Sequence, residues 1–463
     1  MRLSDYEYFR TDNGVLYKGN VTEVLSGMEA ESVHCCVTSP PYWGLRDYGI
    51  PPVVWDDPGD CRHVWGDEDG RKIIGGHSGG IESSGLSNSA KRAEGTGSNK
   101  INTSQSCTLC GAWLGCFGLE PTPGLYVQHS VQIFREVRRI LHPSGCLFLN
   151  LGSSYASSNT PGYKPKDLID IPHLVVEALR QDGWYYRSDM PWLKRSAMPS
   201  SVTDRPASAL EYVFLLTKSA KYFWDMDAVR VKSTANNESL KRAKYGRYEA
   251  SNFSAKRHYR TGKPDYLQKI GNDYGESTGG RNFRNTDLFF QSLKEPHGMI
   301  FAGDEPVGLD VNPQAFSKAH FATFPEKLIE PLILAGTSAR GCCPCGEPWV
   351  RVVEKGELKD HPDVWSSKSP HQFNAKDNTY GESCTLKKVR ESKTIGWKPV
   401  CTCGKEPIPC TVLDCFNGAG TSYLVSAKHN RRYKGIEISE DYADMTKARL
   451  ELELSQPRLP GGF

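Results

Sequence analysis

The stretch Thr411-Val412-Leu413-Asp414-Cys415-Phe416-Asn417-Gly418-Ala419-Gly420-Thr421 decides the fold. Thr411–Asp414 reads as a short buried strand, and a helical pattern follows over residues 421–429. Between them Gly418 and Gly420 let the backbone turn tightly and approach a ligand closely, while the helix N-terminus favours polar or anionic groups. A second strand over Tyr433–Ile438 carries Glu437, and a helix over Tyr442–Leu454 follows it. In dinucleotide-type folds a carboxylate about twenty residues beyond such a turn holds ribose hydroxyls. A third glycine is missing, so the unit suits a nucleoside cofactor with no pyrophosphate. Read blandly, the same residues make a helix-capping turn and a surface glutamate.

Working outward, Val33-His34-Cys35-Cys36-Val37 reads as a buried strand that runs into Thr38-Ser39-Pro40-Pro41-Tyr42. Two prolines stiffen that loop and remove two N–H donors, which leaves carbonyls free to accept bonds beside one hydroxyl and one aromatic face. Ligands of open α/β sheets bind at the ends of such strands. Strands are also expected at Val15–Tyr17, Cys146–Leu151 and Glu211–Leu216. Helices are expected over Val21–Met28, Val131–Leu141, 172–182 and 320–336. The predicted class is α/β.

Composition bounds the function. The chain has 463 residues, 57 Lys+Arg against 54 Asp+Glu, a formal net charge of +3 and 15 Cys. No stretch approaches the ~20 apolar residues of a membrane span. Met1-Arg2 leads into the polar Ser4-Asp5-Tyr6-Glu7 rather than an apolar signal segment, so a soluble cytoplasmic protein is expected. Cysteines in such a compartment serve more often as metal ligands or core thiols than as disulfides.

The pair Thr-Ser-Pro-Pro-Tyr (38–42) and Asp-Cys-Phe-Asn-Gly-Ala-Gly-Thr (414–421) resembles the amino-group DNA methyltransferases that use S-adenosylmethionine. The order, catalytic loop first and cofactor loop last, is similar to the circularly permuted β group. Residues 145–152, the run from Met198-Pro199 through Asp204-Arg205-Pro206 to Phe214, and His320–Lys327 also match. The resemblance implies a Rossmann-like mixed sheet with helices on both faces. It implies Ser39, Pro40, Pro41 and Tyr42 as the catalytic loop. Asn20, Thr38, Thr323, Phe324, Asp414, Phe416, Gly418, Gly420, Thr421 and Glu437 would serve the cofactor. Asn20 stands where the family usually has Asp against the adenine amine, and Cys415 where it usually has Pro. Family members with Ser at the first loop position mostly modify the N4 amine of cytosine, those with Asp the N6 amine of adenine. The expected activity is therefore cytosine-N4 methylation of a base flipped from double-stranded DNA and stacked on Tyr42. Adenine-N6 methylation is the alternative, and an inactive zinc-stabilised DNA-binding protein a second one. A prokaryotic or phage source is implied, with a cognate restriction endonuclease left open as partner. A cytosine-C5 enzyme would need a Cys nucleophile, but Cys35 and Cys36 read as core residues.

Three segments interrupt this pattern and divide the chain into a catalytic half (1–228), a target-recognition region (229–319) and a cofactor-binding half (320–463). Within 57–118, Cys61, His63, Cys107 and Cys110 bracket a Gly/Ser-rich tract and suit a tetrahedral zinc site. Within 340–410, Cys342, Cys345, Cys401 and Cys403 resemble a zinc ribbon, with Cys343 able to replace Cys342 and with Cys384 and Cys410 as extras. The segment from Arg230 to Lys263 interleaves cations with Tyr245, Tyr248, Phe253 and Tyr259. Arg242, Lys244, Arg247, Lys256, Arg257 and Arg260 are its candidate phosphate contacts. Arg281 and Arg284, with Asn282 and Asn285, are candidates for base edges.

Overall fold

Leu147, Leu149 and Leu151 alternate with Cys146 and Phe148 along one strand, and both sets are buried. A strand buried on both faces needs a helical layer on each side. The computed structural model has that arrangement; it describes residues 2–67, 104–194, 204–205, 210–229, 299–302, 305–311, 324–367, 373–374, 379–380 and 384–455.

Ten strands form one sheet. In chain order they are β1 (Glu7–Thr11), β2 (Gly14–Lys18), β3 (Val33–Thr38), β4 (Leu141–Leu151), β5 (Tyr185–Leu193), β6 (Leu210–Thr217), β7 (Met299–Ala302), β8 (Glu305–Asp310), β9 (Thr411–Asp414) and β10 (Arg432–Glu437). Among the described residues the α-helices are α1 (Val21–Ser26), α2 (Pro123–Ile140), α3 (Ile171–Gln181), α4 (Glu326–Gly336), α5 (Thr421–Lys428) and α6 (Glu440–Ser455). On one face Leu147, Leu149, Phe214 and Leu216 pack with α1, α2 and α3 through Val24, Ile133, Phe134, Val175 and Leu179. On the other, Cys146, Phe148, Val213 and Leu215 pack with α4, α5 and α6 through Leu328, Leu332, Leu424 and Leu450. The expected mixed sheet with helices on both faces is the observed one. Among the described residues no helix is long and apolar enough to cross a membrane.

The order across the sheet is β1-β2-β10-β9-β3-β4-β6-β5-β8-β7. The chain's last two strands thus enter the middle of the sheet, between β2 and β3. From β2 to β4 all pairings are parallel, and Val412 and Leu413 lie opposite Cys35 and Cys36. The loops after Thr38 and after Asp414 therefore leave the same end of neighbouring strands, although 376 residues separate them.

The interrupting segments are placed in part. Val53–Trp55, Gln105–Ser106 and Trp113–Gly115 make a three-stranded antiparallel sheet. Trp349–Ser367 pairs with Cys384–Pro399 in a long hairpin. β8, from within the expected target-recognition region 229–319, pairs with β5 through Trp192 and Leu309 and so extends the main sheet. The helix expected over 320–336 is described from Glu326. Thr323 lies outside the described residues. So do Arg242, Lys244, Arg247, Lys256, Arg257, Arg260, Arg281 and Arg284.

Candidate active site

The two loops at the end of β3 and β9 are tied by one carboxylate. Asp414 is fully buried; Oδ1 accepts from Thr38 Oγ1 at 2.7 Å and Phe416 N at 3.1 Å, and Oδ2 accepts from Ser422 Oγ at 2.7 Å. Burial pushes its pKa up to about 6, against the pull of those donors. Asp414, Thr38 and Gly420 were expected at the cofactor, yet none of them lines the cavity that opens here. They build the wall from behind. Gly420 caps α5 at φ +77°, and a Cβ there would lie 2.7 Å from Thr446 Cγ2.

The cavity has a volume of about 280 Å³ and holds both expected ends of the site. Phe416, Gly418, Thr421, Glu437 and Phe324 line one part; Ser39, Pro40, Pro41 and Tyr42 line the other. Glu437 is nearly buried, its Oε2 accepting from Gly418 N at 2.7 Å and Oε1 from Ser439 N at 2.9 Å. Burial raises its pKa to about 7. Gly418 has φ +52°, and open space lies where its Cβ would stand. Asn20 lines the same part. Its Oδ1 already accepts from Thr22 N (2.9 Å) and Thr22 Oγ1 (2.7 Å) as the cap of α1. Both lone pairs are used, so the side chain offers the cavity only N–H donors.

At the other end a polar network surrounds the proline loop. Ser39 Oγ donates toward Asn150 Oδ1 at 3.3 Å, and Tyr42 Oη lies 2.9 Å from both Asn150 Oδ1 and Glu211 Oε2, which share its single proton. Asn150 Nδ2 is spent on the Tyr212 carbonyl at 3.0 Å, and Glu211 pairs with Lys194. Asn150, Glu211, Lys194 and Trp192 all line the cavity. Sequence reasoning assigned them no role. The available signal was a polar residue closing an apolar strand (Asn150) or opening one (Glu211). Cys35 and Cys36 are fully buried, as expected of core residues, and burial raises both thiols well above their ordinary pKa.

A family model for DNA methylases matches residues 33–343, more than half of the chain, and takes in the proline loop, Asn150 and Glu211. The chain belongs to the DNA methylase family. It is similar to the Type II methyltransferase M.Cfr9I of Citrobacter freundii, 26% identical with 98% of this chain and 92% of the relative covered. It is also similar to the Type II methyltransferase M.SmaI of Serratia marcescens, 32% identical over 46% of this chain and 58% of that one. Among solved structures it is similar to PvuII DNA methyltransferase (cytosine-N4-specific), at 14% identity, 95% and 86% coverage and a TM-score of 0.41.

Both cysteine sets of this methylase come together, one of them with a changed member. Cys61, His63, Cys107 and Cys110 form one group whose ligand atoms lie within 4.8 Å of one another. The other is Cys343, Cys345, Cys401 and Cys403. Cys342 was expected in it; instead its Sγ points to the Ile408 carbonyl at 3.6 Å, while Cys343 Sγ lies 2.6 Å from Cys403 Sγ. Adjacent residues on an extended backbone face opposite ways, so only one of the two can join. A third group, His34, Cys342 and Cys410, lacks a free imidazole lone pair. His34 Nδ1 accepts from Thr411 N at 3.0 Å and Nε2 faces the Gly346 carbonyl at 3.1 Å.

Proposed function

We propose that the chain transfers a methyl group from S-adenosylmethionine to the exocyclic N4 amine of cytosine, on a base turned out of double-stranded DNA. The observation that carries this reading is the single cavity shared by the Ser39–Tyr42 loop and the Gly418–Glu437 cradle. The cradle fits the cofactor: a buried carboxylate fixed by two backbone amides stands beside a glycine whose missing side chain leaves open space. Bound there, S-adenosylmethionine supplies an electrophilic methyl group.

The chain's own residues act on the amine. An exocyclic amine is a poor nucleophile because its lone pair is delocalised into the ring. The Pro40 carbonyl and Ser39 Oγ accept its two hydrogens, which turns the lone pair out of the ring plane. Ser39 donates its hydroxyl hydrogen to a bond toward Asn150 Oδ1, which leaves the oxygen's lone pairs free to accept. Tyr42, anchored by Asn150 and Glu211, offers its ring as a stacking face. Catalysis is then positioning and directed hydrogen bonding. The choice of cytosine rests on the uncharged Ser39, and DNA contact on the basic segment from Arg230 to Lys263. The Type II names of the relatives extend the reading to a cognate restriction endonuclease as partner.

The test is incubation of DNA with labelled cofactor followed by nucleoside mass spectrometry. N4-methylcytosine is expected; N6-methyladenine would replace the target, and no methylated base at all would leave a DNA-binding protein.

A further inference from the structure

We propose that a zinc ion held by Cys61, His63, Cys107 and Cys110 positions the catalytic loop and one wall of the cavity. The metal part stands on its own; the part that concerns cofactor affinity rests on the methyl-transfer reading.

The ligand geometry suits the metal. Tetrahedral zinc, with Zn–S about 2.3 Å and Zn–N about 2.0–2.1 Å, sets S···S edges of roughly 3.8 Å and S···N edges of roughly 3.5 Å. Cys61 and Cys107 sulfurs are 3.9 Å apart, and Cys110 Sγ is 3.5 Å from His63 Nδ1. The other ring nitrogen, Nε2, lies 3.3 Å from Asp57 Oδ1. That carboxylate holds the tautomer with the proton on Nε2 and the Nδ1 lone pair toward the cysteines, the usual support of a ligating histidine. Between Cys107 and Cys110 the chain turns tightly: Gly111 N donates to the Cys107 carbonyl at 2.9 Å, and Leu109 N points at Cys107 Sγ at 3.4 Å. An amide aimed at sulfur stabilises a thiolate.

The node sits on the residues that hold the active loop. Its flanking strands pair Trp55 with Trp113, and Trp55, Cys116 and Phe117 line the cavity. Phe117 stacks on Phe416 of the glycine loop at 5.6 Å and on Tyr126 at 4.9 Å. The next residues grip the proline loop directly. Gly44 N donates to the Gly118 carbonyl at 2.7 Å and Trp43 Nε1 to the Glu120 carbonyl at 2.9 Å, while Tyr126 Oη donates to the Pro41 carbonyl at 2.9 Å. Gly118 is so close that a Cβ would lie 2.9 Å from Pro41 Cβ. A ligand set that closes the segment thereby fixes where Pro41 and Phe416 stand.

The second cysteine group supplies the control. It adjoins Gly346, whose carbonyl faces His34 near the start of β3, whereas the active loop leaves the end of that strand. None of its four members lines the cavity.

The experiment uses the full chain with Cys110→Ser and Cys403→Ser, reading metal content by mass spectrometry, S-adenosylhomocysteine affinity by calorimetry, and amide exchange over residues 39–45. Cys110→Ser is expected to lose one zinc per chain, weaken S-adenosylhomocysteine at least tenfold and speed exchange in the loop. Cys110→His, which can still ligate, is expected to restore all three. Cys403→Ser is expected to leave affinity and loop exchange unchanged. Should Cys110→Ser fail to fold, the milder Asp57→Asn is expected to lower zinc affinity and speed loop exchange together. Retention of zinc by Cys110→Ser, or its loss with loop exchange and affinity unaltered, would overturn the proposal. If wild-type protein methylates nothing while these shifts appear, the functional reading fails and the metal inference stands.

Discussion

Glu437 shows how burial sets a residue's working range. Its folded pKa is raised from 4.5 to about 7 because desolvation outweighs the two amides it accepts from. The unfolded chain releases this proton first, so the ligand-free protein loses stability as pH rises from 4.5 to about 7, and no further. Cofactor binding runs the other way, since an ionised carboxylate makes the stronger bonds to ribose hydroxyls. S-adenosylhomocysteine affinity, measured by calorimetry, is expected to rise through pH 7, and Glu437→Gln is expected to be weak and flat. At the other end of the cavity, Tyr42→Phe removes the hydroxyl that joins Asn150 to Glu211. Turnover should fall about 10–100-fold through lost positioning, with cofactor affinity unchanged; equal turnover would remove the network from the mechanism. Pro-Pro after an apolar strand is unusual chemistry, and it is what singled out Ser39 and Tyr42 in the sequence. Asp414 stood out by its place at the end of a buried strand, but its partners Thr38 and Ser422 come from other elements and could not be read.

The glycine turn before α5 contains two left-handed residues with different duties. Gly420, at φ +77°, has Thr446 packed where a side chain would go, whereas Gly418, at φ +52°, faces open space. Gly420→Ala should therefore lower the melting temperature markedly, by the left-handed cost of about 1–2 kcal/mol plus the clash. Gly418→Ala should incur only the first cost yet weaken cofactor binding, and equal effects on binding would refute this division. Helix α2 is bound to the insertion by His129, whose ring stacks against Trp55 and Trp113 and whose nitrogens are each 3.1 Å from a carboxylate, Glu120 Oε1 and Asp56 Oδ2. His129→Ala removes one donor from each carboxylate while Gly118 N still serves Glu120 and Gln128 and Gln132 still serve Asp56, so a loss of about 1–3 kcal/mol is expected in denaturant unfolding. Strands with strong apolar character, such as β3, β4 and β9, could be read directly. Tyr185–Leu193 could not: it is Tyr-Tyr-Arg-Ser-Asp-Met-Pro-Trp-Leu, and only Met190 and Trp192 are buried.

For the whole molecule, the chain's end completes its beginning. β9 and β10 stand between β2 and β3, so a chain stopped after α4 would lose the pair that joins the first two strands to the rest. Such a truncation is expected to show no cooperative thermal transition by circular dichroism; a sharp transition would contradict the central role of that pair. The amino-acid sequence alone determined the local units: a glycine turn between strand and helix, a stiff proline loop after a buried strand, and cysteine pairs at ligand spacing. These depend on torsion and polarity within a few residues, so neighbours in sequence suffice. Only the tertiary structure decided that Cys343 rather than Cys342 joins the second thiol group, that Asn20 spends its oxygen on α1, and that the first insertion walls the cavity. Each of those outcomes depends on which way a side chain faces once distant segments have packed, and that direction is set by the partners across the contact.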